Sequence, residues 1–425
     1  MPQPNLLKPV SASCAGLPPS LPEHPRIGEA PAEPGRHDPA SLRSRRDFLT
    51  GASSRRPLDD DYWIRVHRRA MACRFEITLA SGDAAAVPVA RAALNEIDRI
   101  EDQLSVFREA SALSHLNRRA AHEAVEVDGD LLDLLVECRE LARATGGAFD
   151  VTSTPLSRCW GFLARDGRVP SREAIEKARA LVGFDGVKLA ALDGARPTVR
   201  FERQGIELNL GAIGKGYALD RVARDMRRSG VAQALLSAGC SSLLAIGGRD
   251  AGWHVTVVSP GQGAGGADRL HANVWLRDAA VGTSGAGEQF VIADGTRYGH
   301  VIDPRTGWPA SGVLSASVIA ESAAVADALS TAFLVGGPEL AERYCATHHG
   351  VMALVTPDDG SETRMFGSVA GVSVQTASAC GPSAARSRRA THRQAQGRPE
   401  PRRRARASGG GAPRALSNAD RSAAS

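Results

Sequence analysis

No stretch of this 425-residue chain approaches the ~18 consecutive apolar residues that a membrane-crossing helix needs, so nothing in it reads as a transmembrane segment. It has no C-x-x-C pair either. Its seven cysteines, at positions 14, 73, 138, 159, 240, 345 and 380, are odd in number and scattered, which supports neither a disulfide framework nor a zinc site and favours a reducing compartment. No G-x-G-x-x-G opens a helix after the first strand, which argues against an NAD dehydrogenase, and the G-x-x-x-x-G-K-[ST] spacing of a Walker A loop is missing.

Basic character is missing from most of the chain as well. Between Gly381 and Ser425 eleven arginines face only Glu400 and Asp420, so the formal charge of +5 becomes −4 over residues 1–380. The high isoelectric point therefore belongs to the tail. No aromatic residue is interleaved with those arginines, so the tail is expected to be solvated and no nucleic-acid partner is expected. Near the other end, Ser44 to Leu49 reads SRRDFL, a twin-arginine export signature, but Thr50 to Asp61 is polar and charged where such a signal needs an apolar segment. A cytoplasmic location is expected, with export through an incomplete signal as the alternative.

Residues 1–60 and 376–425, rich in Pro, Ser, Ala, Gly and Arg, are expected to be disordered, leaving 61–375 as the folded domain. Helical periodicity covers Ala85–Leu104, Leu131–Thr145, a segment capped by Ser171, Lys215–Arg228, Ala323–Val335 and Pro338–Thr347. Strand patterns fall at Phe75–Leu79, Ile206–Leu210, Ala234–Ser237, Leu243–Ile246, His254–Val258, Asn273–Leu276, Gln289–Ile292, Arg297–Ile302, Leu314–Ile319 and Val351–Val355. Runs of strands broken by a few long helices point to an α+β fold rather than a doubly wound parallel sheet.

The segment Ala323–Val335 is apolar nearly all round and so should be buried, which makes Asp327 an anomaly, because no Lys or Arg in the helix can pair with it. Thr331, four residues on, shares its face. A carboxylate and a hydroxyl at that spacing suit Mg²⁺, which takes few protein ligands; the spacing equally allows Asp327 to bond nearby backbone and Thr331 to bond its own helix. Glu207 to Asp220 reads as strand, glycine-rich turn and helix, with Lys215 at the helix start, where anions bind. His300, in Arg297–Gly307, stands at a strand end before a Pro-Gly turn and could serve as a general base or simply as a structural residue. Thr145–Thr152 and Gly282–Gly285 add glycine and hydroxyl clusters.

In this order the segments match G-A-F-D-x-T, G-x-x-x-K-G-Y-A-x-D, T-S-G, Y-x-H-x-I-D-P-x-T-G and a D-A-x-x-T helix. The succession resembles the ApbE flavin transferases from about Tyr62 to Gly371. The resemblance implies an α+β, tunnelling-fold-like domain that takes FAD as substrate and transfers FMN to a Ser or Thr hydroxyl of an acceptor flavoprotein carrying a flavinylation motif, releasing AMP. It also implies Mg²⁺ held by Asp327, Thr331 and the Ala212 carbonyl, with flavin and phosphate contacts at Met71, Phe107, Ala148, Phe149, Asp150, Asn209, Lys215 and His300. Catalysis would fall to His300 and Lys215. Two departures stand out: Met71-Ala72-Cys73 replaces Met-Gly-Thr, and Gly239-Cys240-Ser241-Ser242 lacks the aspartate of G-G-D. An FAD pyrophosphatase and a non-catalytic FAD-binding module are the competing readings.

Overall fold

The computed structural model describes residues 63–191, 196–248, 251–259, 269–287 and 289–376. The two tails expected to be disordered lie outside them, apart from Thr376. In chain order the strands are β1 (Trp63–Ala70), β2 (Cys73–Ala80), β3 (Val125–Glu126), β4 (Val187–Ala190), β5 (Thr198–Phe201), β6 (Ala234–Ala238), β7 (Ser242–Ile246) and β8 (Trp253–Ser259). They continue with β9 (Arg269–Leu276), β10 (Ala280–Gly285), β11 (Phe290–Ala293), β12 (Thr296–Gly299), β13 (Val313–Ala320), β14 (Val351–Pro357), β15 (Arg364–Gly367) and β16 (Ser373–Thr376). The helices are α1 (Val87–Leu104), α2 (Ala112–Arg119), α3 (Gly129–Ala144), α4 (Thr154–Cys159), α5 (Arg172–Arg179), α6 (Gly214–Arg228) and α7 (Ala323–Thr347).

Eight strands form one antiparallel sheet in the order β1-β2-β6-β7-β10-β13-β14-β15. Its central strands are buried on both faces, and the period of two along each strand sorts their side chains between two layers. Phe75, Ile77, Leu236 and Ala280 face the helical layer of α1 and α6, whereas Leu235, Val281 and Ile319 pack under the small sheet β16-β9-β8. The expected α+β class, with mixed strands and a few long helices, holds. Among the described residues no helix is long and apolar enough to cross a membrane. Cys73, Cys138, Cys159 and Cys345 are free thiols.

Small residues bring α7 against its neighbours. A Cβ on Gly216 would stand 2.1 Å from the Ala323 carbonyl oxygen, and one on Gly282 would meet the Ala326 backbone at 2.5 Å. Glycine is thus what lets α6 and β10 approach the helix that carries Asp327. From α6, Asp220 reaches across to the start of α7, where its carboxylate accepts from the Ala323 and Ala324 N–H groups and the Ser322 hydroxyl. These bonds satisfy donors that a helix N-terminus leaves open.

Two expectations need correction. Ile206–Leu210 is not a strand, although its side chains alternate between buried and half-buried. Its main chain bonds elsewhere: Leu208 exchanges two bonds with the Asn117 amide, and the Asn209 N–H donates to the Val151 carbonyl. The strand expected over Arg297–Ile302 stops at Gly299, and beyond it only a single bridge joins Ile302 to Pro309. The break expected between Ala323–Val335 and Pro338–Thr347 is present: Gly337, at φ 73° and followed by Pro338, leaves the helical conformation and divides α7 into two helical stretches.

Candidate active site

A cleft of about 380 Å³ gathers nearly all the residues singled out above. Phe107, Ala148, Phe149, Asp150, Asn209, Ala212, Lys215, His300, Asp327 and Thr331 all line it. Met71 does not. It sits with Ala72 in the two-residue turn joining β1 to β2, both at positive φ (47° and 60°), and packs against the helical-layer core. Both central residues of such a primed hairpin turn need that conformation, which Ala72 adopts with more strain than glycine would. The turn still ends near the cleft, since Cys73 lies close enough to Lys215 for the ammonium to offset part of the upward push that burial gives its thiol.

Asp327 is buried, and its Oδ2 accepts the Gly216 N–H at 2.7 Å. Burial raises its carboxyl to about 6, against the opposing pull of Lys215 and the Gly216 N–H. Lys215, in the first turn of α6, donates its ammonium to the Ser241 hydroxyl. Ser241 is uncharged, so the lysine meets a neutral side-chain partner there. Thr331 lies 3.1 Å from the Ser284 hydroxyl of β10.

His300 follows β12, which pairs with β11 in a two-stranded sheet. An aromatic cluster supports this segment: Trp160 is fully buried, contacts Tyr298 and Trp308 at centroid distances of 5.4 and 5.5 Å, and donates its indole N–H to the Gly307 carbonyl at 2.9 Å. The His300 Nδ1 lies 3.3 Å from the Gln289 carbonyl. A carbonyl only accepts, so this contact is a hydrogen bond in the tautomer that carries its proton on Nδ1.

Other expected residues shape the cleft more than they offer reactive groups. The Asp150 carboxylate accepts from the Thr152 N–H and hydroxyl and from the Phe184 N–H, while burial raises its pKa. Asn209 Oδ1 accepts the Gly211 N–H and so fixes the turn before Ala212. Ala148 and Phe149 are core residues that reach the cleft floor, whereas Phe107 is 76% exposed at its mouth.

Sequence reasoning missed Ser330 and Phe162 as site residues. Ser330 has a local signal, since it precedes Thr331 in the same helix; Phe162 arrives by tertiary contact alone. A second hollow, of about 790 Å³ between α3 and α6, holds none of the expected residues and is lined by charged side chains such as Asp130 and Arg221, which pair with each other.

Among the described residues no three His, Cys, Asp or Glu side chains converge, so a cage of several charged ligands is not what this cleft provides. A single buried carboxylate with a hydroxyl one turn away and a nearby backbone carbonyl suits a hard cation that shares its remaining positions with phosphate oxygens and water. The raised carboxyl of Asp327 is the observation that fits: an incoming cation would relieve a charge that burial leaves poorly compensated.

The sequence model of the ApbE family matches residues 71–355. The FAD:protein FMN transferase of Treponema pallidum is 35% identical over 285 residues, 63% of this chain and 78% of that protein. That of Vibrio cholerae is 31% identical over 274 residues, 62% of this chain and 80% of its own length. Among solved structures, the ApbE protein of Thermotoga maritima superposes with a TM-score of 0.63 at 31% identity, covering 72% of this chain and 97% of that one. The flavin transferase ApbE of Vibrio cholerae gives 0.62 at 25% identity with the same coverage.

Proposed function

The chain belongs to the ApbE family, and on that premise we propose that it transfers FMN from FAD to a Ser or Thr hydroxyl of an acceptor flavoprotein and releases AMP. The observation that carries this reading is convergence. Lys215, His300, Asp327 and Thr331 come from α6, the segment after β12 and α7, and they line one cleft.

In this reading Asp327, Thr331 and the Ala212 carbonyl hold Mg²⁺, with Lys215 at the helix start as a further cationic group for the pyrophosphate. Bound there, Mg²⁺ neutralises charge on the diphosphate oxygens and so lowers the barrier to breaking the bridge. The acceptor hydroxyl forms the new O–P bond to the FMN phosphorus, and the bridging P–O bond breaks with its electron pair leaving on AMP. The hydroxyl proton passes to the His300 imidazole, whose Nδ1 lies against the Gln289 carbonyl. FAD is a substrate here, and no electron transfer is asked of the protein.

The test is to incubate the full chain with FAD, Mg²⁺ and an acceptor carrying a D-x-x-[ST]-G-A-T segment. A flavin-fluorescent acceptor band that survives denaturing electrophoresis, absent with Asp327→Ala, is the expected result. AMP release that proceeds at full rate without acceptor, and with no such band when it is present, would instead assign a pyrophosphatase.

A further inference from the structure

Behind Thr331 two hydroxyls stand in series. Thr331 Oγ1 is 3.1 Å from Ser284 Oγ, Ser284 Oγ is 2.8 Å from Ser330 Oγ, and Ser330 Oγ is 2.8 Å from the Asp327 carbonyl oxygen. Ser284 reaches this position because it is two residues beyond Gly282 and so on the same face of β10, the face that Gly282 brings against α7.

The far end of the chain fixes the direction of every bond in it. A carbonyl cannot donate, so the Ser330 proton lies on the Asp327 oxygen. The 2.8 Å contact between Ser330 and Ser284 then takes its proton from Ser284, because otherwise two lone pairs would face each other. With its own proton committed, Ser284 can only accept from Thr331. The competing acceptor for Thr331 is the same Asp327 carbonyl, 3.4 Å away, which already receives Ser330 and the i→i−4 helix bond. The Thr331 proton therefore points back into the fold toward Ser284, and its lone pairs are left for the cleft.

We propose that Ser284, directed by Ser330, is a positioning residue that aims the Thr331 oxygen at the metal. This rests on the reading of Asp327 and Thr331 as Mg²⁺ ligands. A hydroxyl free to rotate presents its proton to the cation part of the time, whereas one whose proton is held behind it presents only acceptor character. Groups that orient a metal ligand from behind typically change metal affinity by about 10–100-fold when removed.

The experiment uses the full-length protein and two readouts. Free Mn²⁺ is followed by its electron paramagnetic resonance signal during titration, and the Mg²⁺ concentration giving half-maximal AMP release from FAD is measured in parallel. Ser284→Ala and Ser330→Ala should each weaken Mn²⁺ binding, or raise the half-saturating Mg²⁺, by about tenfold. Much of the maximal rate should return at saturating Mg²⁺, and Ser284→Thr, which keeps the hydroxyl, should stay within about threefold of wild type. A merely structural role would lower the thermal midpoint in EDTA and the maximal rate without moving the metal dependence. The proposal is overturned if the two alanine variants keep wild-type metal dependence while Thr331→Ala loses it. If Thr331→Ala and Asp327→Ala also leave it unmoved, the failure lies in the metal-site reading itself. Should Ser284→Ala not fold, Ser330→Ala and Ser284→Thr decide the question alone.

Discussion

Replacing Asp327 with asparagine should stabilise the metal-free protein while destroying its activity. The fold raises this carboxyl from 3.8 to about 6, with burial outweighing Lys215 and the Gly216 N–H. A folded pKa above the unfolded one means that the fold favours the protonated acid. Stability is then present in full below about pH 4 and is lost as the pH rises through 6. A gap of roughly two units corresponds to about 3 kcal/mol at about 1.4 kcal/mol per unit. Asparagine keeps the volume and an oxygen able to accept the Gly216 N–H, but it carries no charge. In urea titrations with EDTA, Asp327→Asn should exceed wild type by up to about 3 kcal/mol at pH 8, with the difference shrinking toward zero near pH 4. Adding Mg²⁺ should raise the stability of wild type and not of the variant. A variant that is less stable than wild type at pH 8 in EDTA, or a difference that does not depend on pH, would refute the claim that burial of this charge dominates.

His300→Gln should lower the single-turnover rate of FMN transfer by about 10²–10⁴-fold and leave FAD binding within a few-fold, the signature of a lost general base; an unchanged rate would remove that role. Ala72→Gly should raise stability by about 1 kcal/mol, read as a higher urea midpoint, because Ala72 holds φ 60° in the β1–β2 turn. Gly216→Ala should cost more than about 3 kcal/mol or prevent folding, since its Cβ would stand 2.1 Å from the Ala323 oxygen; a thermal midpoint within about 2 °C of wild type would contradict the tight approach of α6 to α7.

The sequence carried the parts of this site whose signal is local. Asp327 and Thr331 were visible because a carboxylate inside an apolar helix is conspicuous and its partner lies one turn away. Lys215 was visible as a cation at a glycine-rich helix start. What stayed hidden depends on pairing between distant segments. Ile206–Leu210 has the alternation of a strand, yet Asn117, from α2, takes the main-chain bonds a neighbouring strand would have taken. β1, with the sequence WIRVHRRA, gives little alternation of its own and is fixed by its ladder with β2. Met71 was placed at the flavin by resemblance, but the turn that holds it directs it to the core. The pairing of Ser284 with Ser330 and Thr331 has no signal in one dimension, and only the close contact of Gly282 with α7 makes them a chain.

The most direct test of the account is a crystal of the full-length protein grown with FAD and Mn²⁺ in place of Mg²⁺, with data collected at the manganese absorption edge. The account predicts an anomalous peak at about 2.0–2.3 Å from an Asp327 carboxylate oxygen, Thr331 Oγ1 and the Ala212 carbonyl, with diphosphate oxygens completing the shell. A well-ordered diphosphate with no peak between it and Asp327, or a peak held by other residues, would contradict it.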